Sequence, residues 1–367
     1  MKKAVRILLI VLAALVLLAG GYCCYALLSY HRLGDQTLAA TAPALASQPV
    51  TGREYTVVSY NVGFGAYESD YGFFMDGGDR SWAWSKERLD ANLKRIGAVL
   101  QEREAEFYLV QEVDMDATRS YHVDERAYLA DALPELACVF AQNYDSPFLL
   151  YPFHQPHGAS ESGIMTFSAF PIGQAERLEL PIEGGLRKFL DLDRCYSKCR
   201  IPLDETQDLV IYDFHLSAYT ADGAIATEQL KQLLADMEGE YAGHHYCIAG
   251  GDFNKDLLGD SYAVFGRPLN GATWAQPIPE GTFDDYHISL VAPLREDQPV
   301  PSCRNADGPY HPGQMVLTVD GFLVSENVEV LDSAVVDTGF AYSDHNPVEM
   351  RFRLRPQPEP TPDAENE

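Results

Sequence analysis

Seven short runs of apolar and β-branched residues, at 55–60, 107–111, 163–167, 209–215, 246–249, 318–324 and 348–354, constrain the fold of this chain more than any other feature. Each has the length of one strand, and glycine, proline, asparagine and aspartate punctuate the intervals between them. Two intervals carry a different period. In KERLDANLKRIGAVLQERE, residues 86–104, Leu89, Leu93, Ile96, Val99 and Leu100 fall on one face of a helix. Asp222 is placed to cap a second helix, in which Leu230, Leu233, Leu234 and Met237 form an apolar stripe. Strands interleaved with helices of this kind predict an α/β protein with helices packed on sheet. Residues 53–355 show no repeat and no internal boundary, and read as one domain.

The flanks differ from this core. Residues 7–28 hold no charge, close to the ~20 that a membrane-spanning helix needs. Lys2, Lys3 and Arg6 precede them, which places the N-terminus in the cytoplasm and the domain outside. The apolar stretch exceeds the ~7–15 residues of a signal-peptide core, and the cleavage-like Ala44-Leu45-Ala46 lies too far downstream. Tyr22 stands where a lipoprotein needs a small residue before Cys23 and Cys24. The reading is a single-pass anchor over 1–30, with secretion after cleavage as the alternative. A linker rich in Ala, Thr, Pro and Gln follows over 31–52, and a disordered Pro-rich acidic tail closes the chain at 356–367. Cys138, Cys195, Cys199, Cys247 and Cys303 are odd in number and widely spaced, so they read as buried apolar side chains rather than a disulfide framework or zinc site.

The polar residues that close the runs form a set. Asn61 ends the first run and Glu112 the second; His215 ends LVIYDFH; YCIAGGDFN delivers Asp252 and Asn254; VDGFLVS carries Asp320; and SDHNPV, 343–348, sets Asp344 beside His345. Functional side chains gather where strands run out into loops, because a rigid scaffold holds them there. Each of these residues alone has a bland explanation as a turn, cap or core group. Their order, Asn, Glu, His, Asp-x-Asn, Asp, Asp-His, is what carries the signal.

The segments SYNVGFG, LVQEVD, SGIMTFSAFPI, FHLSAY, GGDFN, VDGFLVS and SDHNPV resemble those of the endonuclease/exonuclease/phosphatase superfamily with the deoxyribonuclease-I-like fold. That resemblance implies a four-layer α/β sandwich, two packed mixed sheets flanked by helices, and divalent-metal-dependent hydrolysis of a phosphate ester. It assigns Glu112, Asn61 and Asp344 to a Mg2+ or Mn2+ ion, and hard oxygen ligands suit such a cation. It sets His345 near the scissile phosphate with Asp320 orienting it, Asp252 on the attacking water, and Asn254 on a phosphate oxygen. His215, absent from some apurinic-site nucleases, leans toward the deoxyribonuclease, sphingomyelinase and phosphoinositide-phosphatase branches, where as an imidazolium it stabilises charge or protonates the leaving oxygen. The basic residue that many members carry before the proline of SGIMTFSAFP is missing ahead of Pro171, and Arg187, Lys188, Arg194, Lys198 and Arg200 are the substitutes to consider.

The ester is less constrained. With 27 basic and 54 acidic side chains the net charge is −27, without the basic footprint that holds nucleic acid. An outward-facing phosphodiesterase acting on a lipid head group or another small phosphoester fits the anchor and the charge. An extracellular nuclease and a catalytically silent scaffold are the alternatives, and no protein partner is indicated. After Asn61, seven aromatics (Phe64, Tyr67, Tyr71, Phe73, Phe74, Trp82 and Trp84) predict a wall or lid of the cleft or a buried cluster. In YPFHQPHGASES, His154 and His157 read as surface groups.

Overall fold

A computed structural model describes residues 2–43, 47–185, 188, 193–218, 223–266, 274–295 and 297–356. Asp222, expected as a cap, Arg187, the cleavage-like 44–46 triplet and the tail beyond Pro356 lie outside the described residues, and Gly223 is the N-cap of the helix Ala224–Ala242.

The strands are β1 (Gln36–Thr37), β2 (Glu54–Asn61), β3 (Phe107–Ala117), β4 (Ala137–Leu149), β5 (Gly158–Ser168), β6 (Gln174–Glu179), β7 (Cys195–Pro202), β8 (Asp208–His215), β9 (Tyr246–Asp252), β10 (Lys255–Asp256), β11 (Gln276–Pro277), β12 (Ile288–Val291), β13 (Cys303–Arg304), β14 (Val316–Leu317), β15 (Asp320–Ser325), β16 (Val328–Val335) and β17 (Val348–Leu354). They build a six-stranded sheet, β16-β17-β2-β3-β5-β4, and a seven-stranded sheet, β1-β6-β7-β8-β9-β15-β12, with two short ribbons, β10-β11 and β13-β14. Each large sheet has one parallel pair at its centre, β2 with β3 and β8 with β9. A parallel pair needs a crossover, and the helices Lys86–Gln101 and Ala224–Ala242 supply the two crossovers. Ser85 caps the first helix, its Oγ accepting from Arg88 N at 3.2 Å.

The period of two along β2 and β3 sorts residues between layers. Val57 and Leu109 face the seven-stranded sheet and pack with Ile211, Ile248 and Phe322, whereas Val58, Tyr108 and Val110 pack outward with Leu89, Leu93 and Ile96 of the first crossover helix. On the far side, Val210, Tyr212, Cys247 and Ala249 meet Leu230, Leu233, Leu234 and Met237. Helix, sheet, sheet and helix make the four-layer sandwich implied by the motifs. All seven cysteines are free thiols, and Cys195, Cys199, Cys247 and Cys303 are buried.

The helix Lys2–Ser29 is long and apolar enough to cross a membrane and buries none of its apolar span against the domain. Its last turns touch the edge strand β4. Tyr22 Oη donates to Phe148 O at 3.3 Å and accepts from Leu150 N at 3.1 Å, and Tyr25 Oη accepts from Phe148 N at 3.1 Å. The segment read as a linker lies along the domain, with β1 paired to β6 and Thr41 N donating to Cys138 O at 3.0 Å.

Candidate active site

Three adjacent strands set one row of the site. His215 on β8 is in register with Asp252 on β9, and Asp252 with Asp320 on β15. The other sheet brings Asn61 at the end of β2, Glu112 within β3, and Asp344 with His345 in the turn before β17. β3 runs past Glu112 to Ala117, although the sequence pattern ends the strand there. The pairing with β5 shifts register between Val110 and Val113, and Glu112 takes a positive φ of 58° at that bulge. A bulge re-aims a side chain, here the carboxylate, without ending the strand.

Asn61 ties the two sheets together. Its Nδ2 donates to Glu112 Oε1 and to Asp252 Oδ2, both at 3.1 Å, while its Oδ1 accepts from Gly63 N at 3.0 Å and so fixes the amide's orientation. Asp252 Oδ1 accepts from Asn254 N at 2.8 Å, which leaves Oδ2 facing Asn61, His215 Nε2 at 3.5 Å and His345 Nε2 at 3.7 Å. Asn254 itself adopts φ 49° and donates through Nδ2 to Leu216 O at 2.8 Å, so part of the amide assigned to phosphate is spent on the backbone.

His345 is held by a chain of acceptors. Its Nδ1 bonds Asp320 Oδ2 at 2.8 Å, and Ser302 Oγ donates to the same oxygen at 2.7 Å while accepting from Val319 N and Asp320 N. Nε2 faces Cys303 Sγ at 3.5 Å as well as Asp252. Ser343 Oγ donates to Asn61 O at 2.8 Å and accepts from His345 N at 3.1 Å, so the SDH turn is fastened to the end of β2.

Burial opposes charge at His345, but the Asp320 carboxylate and Cys303 together outweigh it and hold the imidazole well above its ordinary pKa. Burial pushes Asp344 up to about 6, aided by Glu112 and opposed by His345. Burial likewise raises Asp252 toward neutrality, with His345 opposing and Asp320 assisting. His215 moves the other way: burial, then Arg194 and His345, drive its pKa well below the usual value. The imidazolium expected there is opposed by burial and by these neighbouring cations, while the Asp252 carboxylate stands 3.5 Å from its Nε2.

A model of the endonuclease/exonuclease/phosphatase family matches residues 58–345. The chain belongs to this family. Its fold is similar to an endonuclease/exonuclease/phosphatase from Beutenbergia cavernae, with a TM-score of 0.55 at 18% identity over 83% of this chain and 72% of that one. It is also similar to ANGEL2, described as a 2',3'-cyclic phosphatase, at 0.55 and 16% over 82% and 96%, and to truncated TDP2 from Caenorhabditis elegans at 0.50 and 12% over 83% and 99%. No curated protein matches by sequence. The protein is a metal-dependent phosphoesterase of the deoxyribonuclease-I-like fold.

The family's divalent ion fits the residues present. Among the described residues, Asp252, Asp320 and His345 bring their ligand atoms within 4.8 Å of one another. A cation centred there would have to break the His345–Asp320 hydrogen bond. Glu112 and Asp344 line the same cleft and offer carboxylate oxygens beside that pair, whereas Asn61 turns its Nδ2 to Glu112 and its Oδ1 to Gly63 N, so the amide would have to turn over to bind the ion; Asp344, raised by burial and by Glu112, gains from a positive charge.

The phosphoesterase cleft also uses residues that sequence reasoning passed over. Ser302 and Ser343 carry no signal beyond turn propensity, although Ser343 directly precedes the Asp-His pair. Cys303, read as inert core, lines the cleft beside His345. Of the proposed basic substitutes, Arg194 lines the cleft, while Lys198 and Arg200 turn to Asp236 and Glu240 on the crossover helix and Lys188 lies over the Tyr30 ring. Phe64, Tyr67, Tyr71 and Phe73 are buried together, so the aromatic interval is a packed wall, with Tyr67 at the cleft. His154 is exposed as expected. His157 is not: it packs against Phe73 and Phe74, and burial lowers its pKa to about 3.

Proposed function

We propose that the protein hydrolyses a phosphodiester at the extracytoplasmic face of a membrane, with Mg2+ or Mn2+ held by Glu112, Asn61 and Asp344. The observation that carries this reading is the pair of imidazoles, His215 and His345, on either side of the Asp252 carboxylate. A bound divalent ion supplies the positive charge that lets an anionic phosphorus accept a nucleophile. Asp252, with its proton affinity raised toward neutrality, takes a proton from the attacking water. His345, kept charged by Asp320, points Nε2–H into the cleft, where it meets a phosphoryl oxygen as negative charge grows on it. Asn61 Nδ2 and the Asn254 backbone N–H orient the Asp252 carboxylate through hydrogen bonds to its two oxygens, and Asn61 Nδ2 also reaches Glu112. Lys2, Lys3 and Arg6 ahead of the apolar helix support the outward placement of the domain.

The test is hydrolysis of bis(p-nitrophenyl) phosphate by the full chain in detergent with Mg2+ or Mn2+, beside His345→Ala. Turnover that needs the metal and drops by at least about 10³-fold in the variant is expected, since the residue contributes both charge and position. Equal turnover by the two proteins would remove His345 from the mechanism. Faster cleavage of DNA or RNA than of any other diester would replace the membrane substrate with nucleic acid.

A further inference from the structure

Beside the carboxylates lies a second space, a cavity of about 460 Å3 that shares Glu112 and His215 with the catalytic cleft. Its size lies within the ~300–1,000 Å3 of ligand pockets. Phe73, Phe74, Met75, Leu149 and Tyr151 give it a largely apolar wall, and one further lining residue, Tyr22, comes from the N-terminal helix. An ionic phosphate needs no such wall, so the cavity answers to another part of the substrate.

The rim of this cavity is the apolar 148–153 loop. Outside the N-terminal helix, six large apolar side chains are exposed among the described residues, and four of them lie here: Phe148 at 39%, Leu150 at 38%, Tyr151 at 65% and Phe153 at 83%. The hydrogen bonds of Tyr22 and Tyr25 to this segment fix its level alongside the last two turns of the helix, not beyond Ser29. With 1.5 Å of rise per residue, Tyr22 sits about 10 Å short of the helix end. If the helix spans a bilayer, its tyrosines mark the interface, and the four exposed side chains sit at the same depth.

We propose that the cavity takes the apolar part of a phosphoester amphiphile, which reaches the site from the bilayer across the 148–153 loop. The inference rests on the phosphodiesterase reading for the position of the ester bond. The ester is then at Glu112 and His215, the chain lies along Phe73, Phe74 and Leu149, and the membrane helix forms part of the substrate site as well as the tether.

Two measurements on the full chain test it. In the first, His345→Ala protein in phosphatidylcholine vesicles is irradiated with a trace of phosphatidylcholine carrying a diazirine near the end of one acyl chain, and adducts are mapped by peptide mass spectrometry. Adducts at 73–75 and 149–151, in addition to the helix, are expected; adducts confined to residues 2–29 overturn the proposal. In the second, kcat/KM is compared across p-nitrophenyl alkyl phosphodiesters from methyl to dodecyl. A rise of up to about fourfold for each methylene accepted is expected, and Leu149→Trp should lower the dodecyl-to-methyl ratio by at least tenfold, with folding checked by thermal melting. A series that is flat in the wild type also overturns it. If adducts form but no diester is cleaved, the lipid site stands and the phosphodiesterase reading fails.

Discussion

Replacing Asp320 with asparagine tests the hydrogen-bond chain behind His345, and Ser302 decides its outcome. Ser302 Oγ accepts from two backbone amides, so its own proton must go to Asp320 Oδ2 at 2.7 Å. Whatever atom replaces that oxygen has to be an acceptor. Asparagine therefore places Oδ1 there, still able to accept from His345 Nδ1, and sends Nδ2 to the position of Asp320 Oδ1, which is buried without a partner. Orientation survives while charge is lost. A hydrogen bond to an ion contributes about 1.5–3 kcal/mol and one to a neutral group about 0.5–1.5 kcal/mol, a difference of roughly 1–1.5 kcal/mol. At about 1.4 kcal/mol per decade this predicts a loss near tenfold in kcat for Asp320→Asn. Removing Ser302 as well frees the amide to flip and turns a donor toward His345 Nδ1, which can then hold no proton, so the charged ring that the mechanism needs is lost; an asparagine that turns a donor on a triad histidine costs about 10⁴. Ser302→Ala alone should cost only a few fold. The assay is kcat for bis(p-nitrophenyl) phosphate at saturating Mn2+, with imidazole 15N shifts reporting the tautomer. The reasoning is refuted if the double variant equals the product of the two single losses, or if Asp320→Asn alone loses 10⁴.

Three further outcomes follow from the geometry. Because burial raises the Asp344 carboxyl to about 6, protons compete with the metal as pH falls through that value, and Mn2+ affinity should drop about tenfold per unit below it; calorimetry in buffers of different ionisation enthalpy should show proton release near pH 6, and an affinity unchanged from pH 7 to 5 would contradict this. Arg119→Met should cost about 3–5 kcal/mol in denaturant unfolding, because it leaves the buried Asp114 carboxylate without the guanidinium that now bonds both its oxygens at 3.1 and 2.8 Å; a loss below 1 kcal/mol would refute that role. Gly251→Ala puts a Cβ 1.9 Å from Phe214 O, against backbone that cannot move aside, so a loss of about 3 kcal/mol or more is expected in the same assay, and a neutral variant would show that β8 and β9 can separate.

Much of this fold was legible because its central strands are apolar on both faces and end in groups that have no place in a core. Asn61, His215 and Asp252 stand out for that reason. The edge strands were not legible. In QAERLE, the β6 sequence, only Ala175 and Leu178 are apolar, and β4 carries polar side chains through Gln142–Asp145. Glu112 was found and its setting was not, since a bulge depends on the partner strand's register. Ser302 is recognisable only after folding brings it to Asp320, eighteen residues away. His157 was misread because Phe73 and Phe74, which bury it, come from a distant segment with no local trace in its own loop.

The amide of Asn61 has a consequence for how the enzyme is made and lost. Its two hydrogen atoms reach carboxylates that belong to different sheets, Glu112 on one and Asp252 on the other. Neither half of the sandwich contains a working centre, so catalysis requires the two halves to be docked. Heat inactivation should then coincide with separation of the layers and not precede it, and activity becomes a direct gauge of whether the sandwich is closed.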